Sequence, residues 1–119
     1  MLRKQHRLVS RREFKTVFAG GRTYVHRLII LKVVLTSEDS LSRFAFSTSA
    51  KLGKAVARNR AKRLLREAVR LLDYRLKQRG YDVVLVARSS FGEVKLAEVS
   101  AAVEELFQKA GLTRSAGTQ

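Results

Sequence analysis

The spacing of apolar positions changes along the chain, and each change marks an element. After Ser10, Phe14, Val17 and Phe18 share one face of a short helix. Ser10-Arg11-Arg12-Glu13 has the form of a capping box at its start, and Gly20-Gly21 ends it. Residues 28–36, LIILKVVLT, are aliphatic and β-branched and predict a strand, with a short extra strand near residues 23–26. In RFAFSTS, residues 43–49, alternation sets Phe44, Phe46 and Thr48 on one face and Ala45, Ser47 and Ser49 on the other. The turn cluster Glu38-Asp39-Ser40 between these two strands predicts an antiparallel hairpin.

A helical period then runs over residues 56–79 and stops at Gly80. Within it, Ala61, Leu64, Leu65, Ala68, Leu72 and Leu76 gather on one arc. Residues 81–88, YDVVLVAR, are continuously apolar, as expected of a strand in mid-sheet. Leu96, Val99, Val103, Leu106 and Phe107 predict a last helix over 96–110, closed by Gly111 and followed by a frayed tail. The helices are too few for a doubly wound sheet, so the pattern points to an α+β fold, a two-layer α/β sandwich. With 119 residues and no linker or internal repeat, the chain reads as one domain over 1–119, with flexible ends at 1–8 and 112–119.

Composition removes several classes of function. There is no cysteine, which excludes disulfides, thiolate metal sites and a cysteine nucleophile. The longest apolar run, residues 28–35, is broken by Lys32 and falls far short of the about 18 residues of a membrane span. The N-terminal MLRKQHRLVSRREF lacks the apolar stretch of a signal peptide. A cytoplasmic protein without a membrane partner is expected.

Charge changes the picture most. Lys and Arg number 25 against 10 Asp and Glu, a net charge of +15. Residues 1–32 carry +8 and residues 51–70 carry +7, so the rest of the chain sums to zero. A surface charged for solubility mixes both signs, whereas a polyanion-binding surface concentrates one. On the long helix, Asn59, Lys62, Arg63, Arg66 and Arg70 fall opposite the apolar arc, with Arg60 and Glu67 at its edge. Like charges at 62/66 and 66/70 cost about 0.2–0.5 kcal/mol per pair in isolation, which a bound anion would offset. Arginine predominates, which favours bidentate phosphate contacts. Lys51, Lys54 and Arg58 surround the helix start, where free N–H groups add positive character. The whole reads as a phosphate-binding rod roughly 35 Å long. Near the N-terminus, Phe14 and Phe18 stand among Arg11, Arg12 and Lys15. Rings interleaved with charge make a platform for unpaired bases, and equally they could belong to the core.

The stretch FSTSAKLGKAVARNRAKRLLREAVR, residues 46–70, resembles the signature of the protein subunit of bacterial ribonuclease P. The family carries a Ser-x-Ser-Lys-Lys-x-Gly-x-Ala-x-x-Arg-Asn-Arg-x-Lys-Arg-x-x-Arg-Glu pattern. Ser47, Ser49, Lys51, Gly53, Ala55, Arg58, Asn59, Arg60, Lys62, Arg63, Arg66 and Glu67 fit it, and Ala50 departs from it by replacing a lysine. The resemblance extends to the F-x-x-V-F helix at 14–18 and to the closing strand and helix. It implies an α-β-β-β-α-β-α order of the ribosomal-protein-S5-domain-2-like kind. It also implies a protein cofactor of a catalytic RNA that removes the 5′ leader from precursor tRNA. By the same resemblance, the RNA subunit requires Mg²⁺ and performs the chemistry, the protein holds no cofactor of its own, and its partners are ribonuclease P RNA and precursor tRNA, with no obligate protein partner. Lys51, Lys54, Arg58, Asn59, Arg60, Lys62, Arg63, Arg66 and Arg70 would face the RNA. A cleft with Arg11, Arg12, Phe14, Phe18, Lys32, Ser47 and Ser49 would take the leader. The family often has an aromatic near the position of Lys32, so charge would substitute for stacking there.

Two other readings stay open from the residues alone. His6 and His26 could act as an acid–base pair in protein-only RNA cleavage. Glu38, Asp39, Glu67 and Asp73 show no clustered spacing for a metal ion, and no metal site can be named. A structural RNA-binding protein would share the basic helix without needing the aromatic groove.

Overall fold

A computed structural model of the chain describes residues 21–36, 39, 41–72, 76 and 80–113. The predicted first helix, with Ser10, Arg11, Arg12, Phe14 and Phe18, lies outside them, as do His6, Glu38, Asp73 and the last six residues. The described elements are strands β1 (Arg22–Val25), β2 (Ile29–Leu35), β3 (Arg43–Thr48) and β4 (Tyr81–Ala87), with helices α1 (Ala55–Leu72) and α2 (Leu96–Ala110). Short 3-10 turns at Ala50–Leu52 and Ser89–Phe91 precede the helices. The order is β-β-β-α-β-α, and the weak strand expected near 23–26 is β1.

The strands form one sheet in the order β1-β2-β4-β3. β4 sits between β2, its antiparallel partner, and β3, its parallel partner. Its continuous apolar run follows from that position, since neighbours flank it on both edges. The expected hairpin of β2 and β3 does not form: β4 is inserted between them. Alternation told which residues of β3 share a face, but a face is common to every neighbour the strand could take. The pairing is pinned at one end by a buried carboxylate. Arg43 Nε and Nη2 donate to Asp82 Oδ1 and Oδ2 at 3.0 and 2.8 Å, directly across the β3–β4 ladder.

Register assigns the two sheet faces. Ile29, Leu31 and Val33 of β2 stand beside Val83, Leu85 and Ala87 of β4 and Phe44 and Phe46 of β3. Both helices cover this face, α1 over β3 and β4 and α2 over β1 and β2, and they pack on one another. Ala61, Leu65, Ala68, Val69 and Leu72 of α1 and Val99, Ala102, Val103, Leu106 and Phe107 of α2 are buried in the same core. The Phe44 and Phe107 rings, 6.2 Å apart, tie β3 to α2. Each fully buried aliphatic or aromatic side chain contributes about 1.5–3 kcal/mol relative to exposure. The α1 seam is therefore held far more firmly than any exposed ion pair on the helix could hold it.

Two boundaries differ from expectation. The described α1 ends at Leu72, so its 18 residues span about 27 Å rather than 35 Å. Leu76 continues the leucine period but forms an isolated antiparallel bridge with Thr113 and is buried in the core. Leu112, expected in the frayed tail, is also buried, and its N–H donates to the Phe107 carbonyl at 2.9 Å. Gly111 closes α2 in the left-handed conformation, at φ 75°.

Candidate nucleic-acid interface

Because the apolar arc of α1 is fixed in the core, its opposite arc is fixed toward solvent. Asn59, Arg63, Arg66 and Arg70 are exposed there, and Lys62 and Arg60 are half-buried on its two flanks. The flanks differ in what they meet. Toward β3, the Arg66 guanidinium lies 5.6 Å from the centroid of the Phe46 ring, a cation–π contact that joins the helix to the edge strand. Toward α2, Arg60 Nη2 donates to the Val94 carbonyl at 2.7 Å, which fastens the helix to the chain entering α2. Arg60 thus spends part of its donor set within the protein, and its other N–H groups remain for a ligand.

Arg70 is engaged by Glu67, the acid at the edge of the arc. Its Nε and Nη2 donate to Glu67 Oε1 and Oε2 at 3.0 and 2.5 Å. The hydrogen bond from Arg70 lowers the pKa of Glu67, and the same bond raises that of Arg70. Helical wheels place Glu67 at the edge of the arc, but a side chain three residues away can reach across that edge. Asn59, Arg63 and Arg66 make up the rest of the exposed arc.

The start of α1 is built by a turn. Ser49 lies one residue beyond β3, and its hydroxyl accepts the Lys51 N–H at 3.1 Å, capping the 3-10 turn. Its N–H donates to the Ala87 carbonyl at 2.8 Å. Gly53 then adopts φ 142°, a region that side chains rarely enter, and directs the chain into the helix. Lys51 and Lys54 are exposed on either side of it, as is Ala50, while Arg58 is half-buried. The second face of the sheet carries Lys32 and Ser47, paired with Val84 and Val86 on opposite edges of β4. Those two share that face as expected, and Ser49 stands one residue past the strand with its hydroxyl accepting the Lys51 N–H. Arg11, Arg12, Phe14 and Phe18 lie outside the described residues.

Sequence reasoning passed over Phe46 as a partner of Arg66 and Val94 as an acceptor for Arg60. Phe46 was on the correct face, but only the strand order puts it beside the helix. No signal in the sequence announces a backbone acceptor. His26, the other half of the histidine pair, has a structural role. Its Nδ1 accepts the Leu28 N–H at 3.0 Å, and its carbonyl accepts Arg88 Nη1 at 3.0 Å. Among the described residues no group of three or more His, Asp or Glu side chains is placed to hold a metal ion, and no helix is long and apolar enough to cross a membrane.

Comparison with known proteins bears on the family and the fold. The family model described as Ribonuclease P matches residues 2–111. The chain is 44% identical over 116 residues to the ribonuclease P protein component of Symbiobacterium thermophilum, covering 98% of this chain and 100% of that one. In fold it is similar to the RNase P protein of Staphylococcus aureus, with a TM-score of 0.80 at 23% identity over 92% of this chain and 98% of the other. The RNase P protein of Thermotoga maritima gives a TM-score of 0.75 at 28% identity over 87% and 96%.

Proposed function

As the chain belongs to the ribonuclease P protein family, we propose that it is the protein cofactor of the ribonuclease P ribozyme, binding the catalytic RNA and the 5′ leader of precursor tRNA. The observation that carries this reading is the exposed row of Asn59, Arg63 and Arg66 on a helix whose other side is locked into the core. A rigid helix presents its guanidinium groups at fixed spacing, so little ordering entropy is lost when phosphates bind. Each phosphate neutralised releases condensed counterions, which makes assembly strongly salt-dependent.

In this mechanism the protein performs no bond-breaking step. Arg63 and Arg66 hold RNA phosphates, and Lys51 and Lys54 extend the positive surface around the start of α1. The described side chains bind and orient, and the chemistry belongs to the RNA with its Mg²⁺. Lys32 and Ser47, on the sheet face away from α1 and α2, supply a charge and a hydroxyl suited to a single strand. Arg11, Arg12, Phe14 and Phe18 complete the proposed leader cleft, with about 1–3 kcal/mol for each base stacked on an aromatic ring.

The test is a reconstituted reaction with ribonuclease P RNA and precursor tRNAs of increasing leader length. The protein should tighten binding of leader-bearing substrates and leave mature tRNA nearly unaffected. Phe14→Ala should reduce that preference, whereas equal loss on both ligands would assign Phe14 to the core. A protein effect independent of the leader would contradict leader binding.

A further inference from the structure

A cleft of about 570 Å³ opens between the first turns of α1 and the chain that leads into α2. Val56 and Ala57 line it on one side, and Gly92 and Lys95 on the other. Arg60 bridges the two, because its bond to the Val94 carbonyl crosses from helix to loop. The cleft lies beyond the carboxyl ends of the parallel strands β3 and β4, where a parallel pair leaves a crevice for ligands. Its size is within the range of about 300–1,000 Å³ typical of ligand sites.

Two features make this cleft unlike a surface dent. Val56 is 82% exposed, the most exposed of the large hydrophobic residues described, and it sits at the cleft on a helix that otherwise exposes mainly charged side chains, with Leu71 at its far end. The remaining lining is ionic: Lys54, Arg60 and Lys95 against the single acid Glu93. An apolar wall rimmed by excess positive charge does not suit a neutral apolar ligand or a basic peptide. It suits a flat, partly apolar group that carries an anion. Gly92, at φ 56°, lets the chain reverse after the buried Phe91 and leaves that wall bare of a side chain.

Resting on the functional reading above, we infer that this cleft holds one unpaired nucleotide of the partner RNA. Its base packs on Val56 and Ala57 beside the Arg60 guanidinium, and its phosphates meet Lys54 and Lys95. A guanidinium plane is a stacking surface for a base as well as a donor. Glu93 gives the site a direction. It repels phosphate and accepts from an exocyclic amino group, which favours an amino-bearing base over uracil. The contact is thus distinct in kind from the phosphate row of Arg63 and Arg66. It reads a nucleotide taken out of the helix rather than the backbone of a duplex.

The experiment uses the full chain with ribonuclease P RNA. Nucleotide-resolution chemical probing of the RNA is compared for wild type, Val56→Ser and Ala57→Leu, with affinities measured over a salt series. Val56→Ser removes the apolar surface at an exposed position, and Ala57→Leu fills the cleft. The expected result is one unpaired nucleotide protected by wild type and reactive with both variants. Affinity should fall about three- to tenfold, and the salt slope should fall by up to about two, because a released nucleotide also frees Lys54 and Lys95 from its phosphates. Reactivity maps identical for all three proteins, with wild type bound, overturn this inference and leave the cofactor reading standing. Failure of the wild-type protein to bind the RNA overturns both.

Discussion

Arg63 and Arg70 occupy the same exposed arc, yet they offer their charge to a ligand to different degrees. Glu67 engages Arg70, and the hydrogen bond holds the Glu67 carboxyl below the usual carboxylate range. A depressed folded-state pKa means that the pair is intact at neutral pH and is lost as the pH falls through that lowered value. Both partners are exposed, so the pair matters less for stability than for charge display. Glu67→Gln should release Arg70, raise RNA affinity about two- to threefold and steepen the salt dependence by up to one ion. Arg63→Ala should lower the slope by about one, and binding titrations over a salt series measure both. Ala50, exposed on the turn before α1, offers the converse test. Ala50→Lys should restore roughly one phosphate contact and steepen the slope by about one, whereas an unchanged slope would place residue 50 off the RNA. At this scale the sequence showed which side chains carry charge but not what each of them is bonded to. The bonds of Arg70 to Glu67 and of Arg60 to Val94 depend on side-chain reach and on a tertiary neighbour.

Among the elements, α1 was the most legible, because its apolar period and its core contacts largely coincide, although Val69 joins the core from outside the expected arc and Leu64 is only half-buried. Ala61, Leu65, Ala68 and Leu72 are all buried. Its far end was misjudged because Leu76 keeps the period while leaving the helix to bridge Thr113. Periodicity reports which way a side chain points, and a bridge can point it the same way. The sheet was legible strand by strand but not in order, since alternation in β3 is equally compatible with β2 or β4 as its neighbour. The turn into α1 carries its own prediction. Gly53 has φ 142°, and a β-carbon added there would lie 3.4 Å from that of Ala57. Gly53→Ala should destabilise the protein by about 1 kcal/mol or more, read as a lower midpoint of urea unfolding. Leu65→Ala, at the centre of the seam, should cost about 2–5 kcal/mol, and RNA binding should weaken only where the fold itself is lost.

On the scale of the whole molecule, the chain divides its work between two layers. The helices bury one sheet face and are thereby held rigid, and that rigidity holds the arc of arginines in the fixed position that the proposed RNA binding needs. The end of the sheet adds a cleft next to that surface. Charge segregation was the part of this design most visible beforehand, because +7 on residues 51–70 leaves few structural explanations. The cleft was invisible, since it joins residue 56 to residue 93 through a topology that no local pattern encodes. The central claim is that the protein assists a catalytic RNA and does not cut RNA itself. Its most direct test is cleavage of precursor tRNA at a series of magnesium concentrations, with the RNA subunit alone, the protein alone and the two together. The account predicts no cleavage by the protein alone and a lower magnesium requirement when the protein joins the RNA. Cleavage by the protein alone, or an unchanged magnesium requirement, would contradict it.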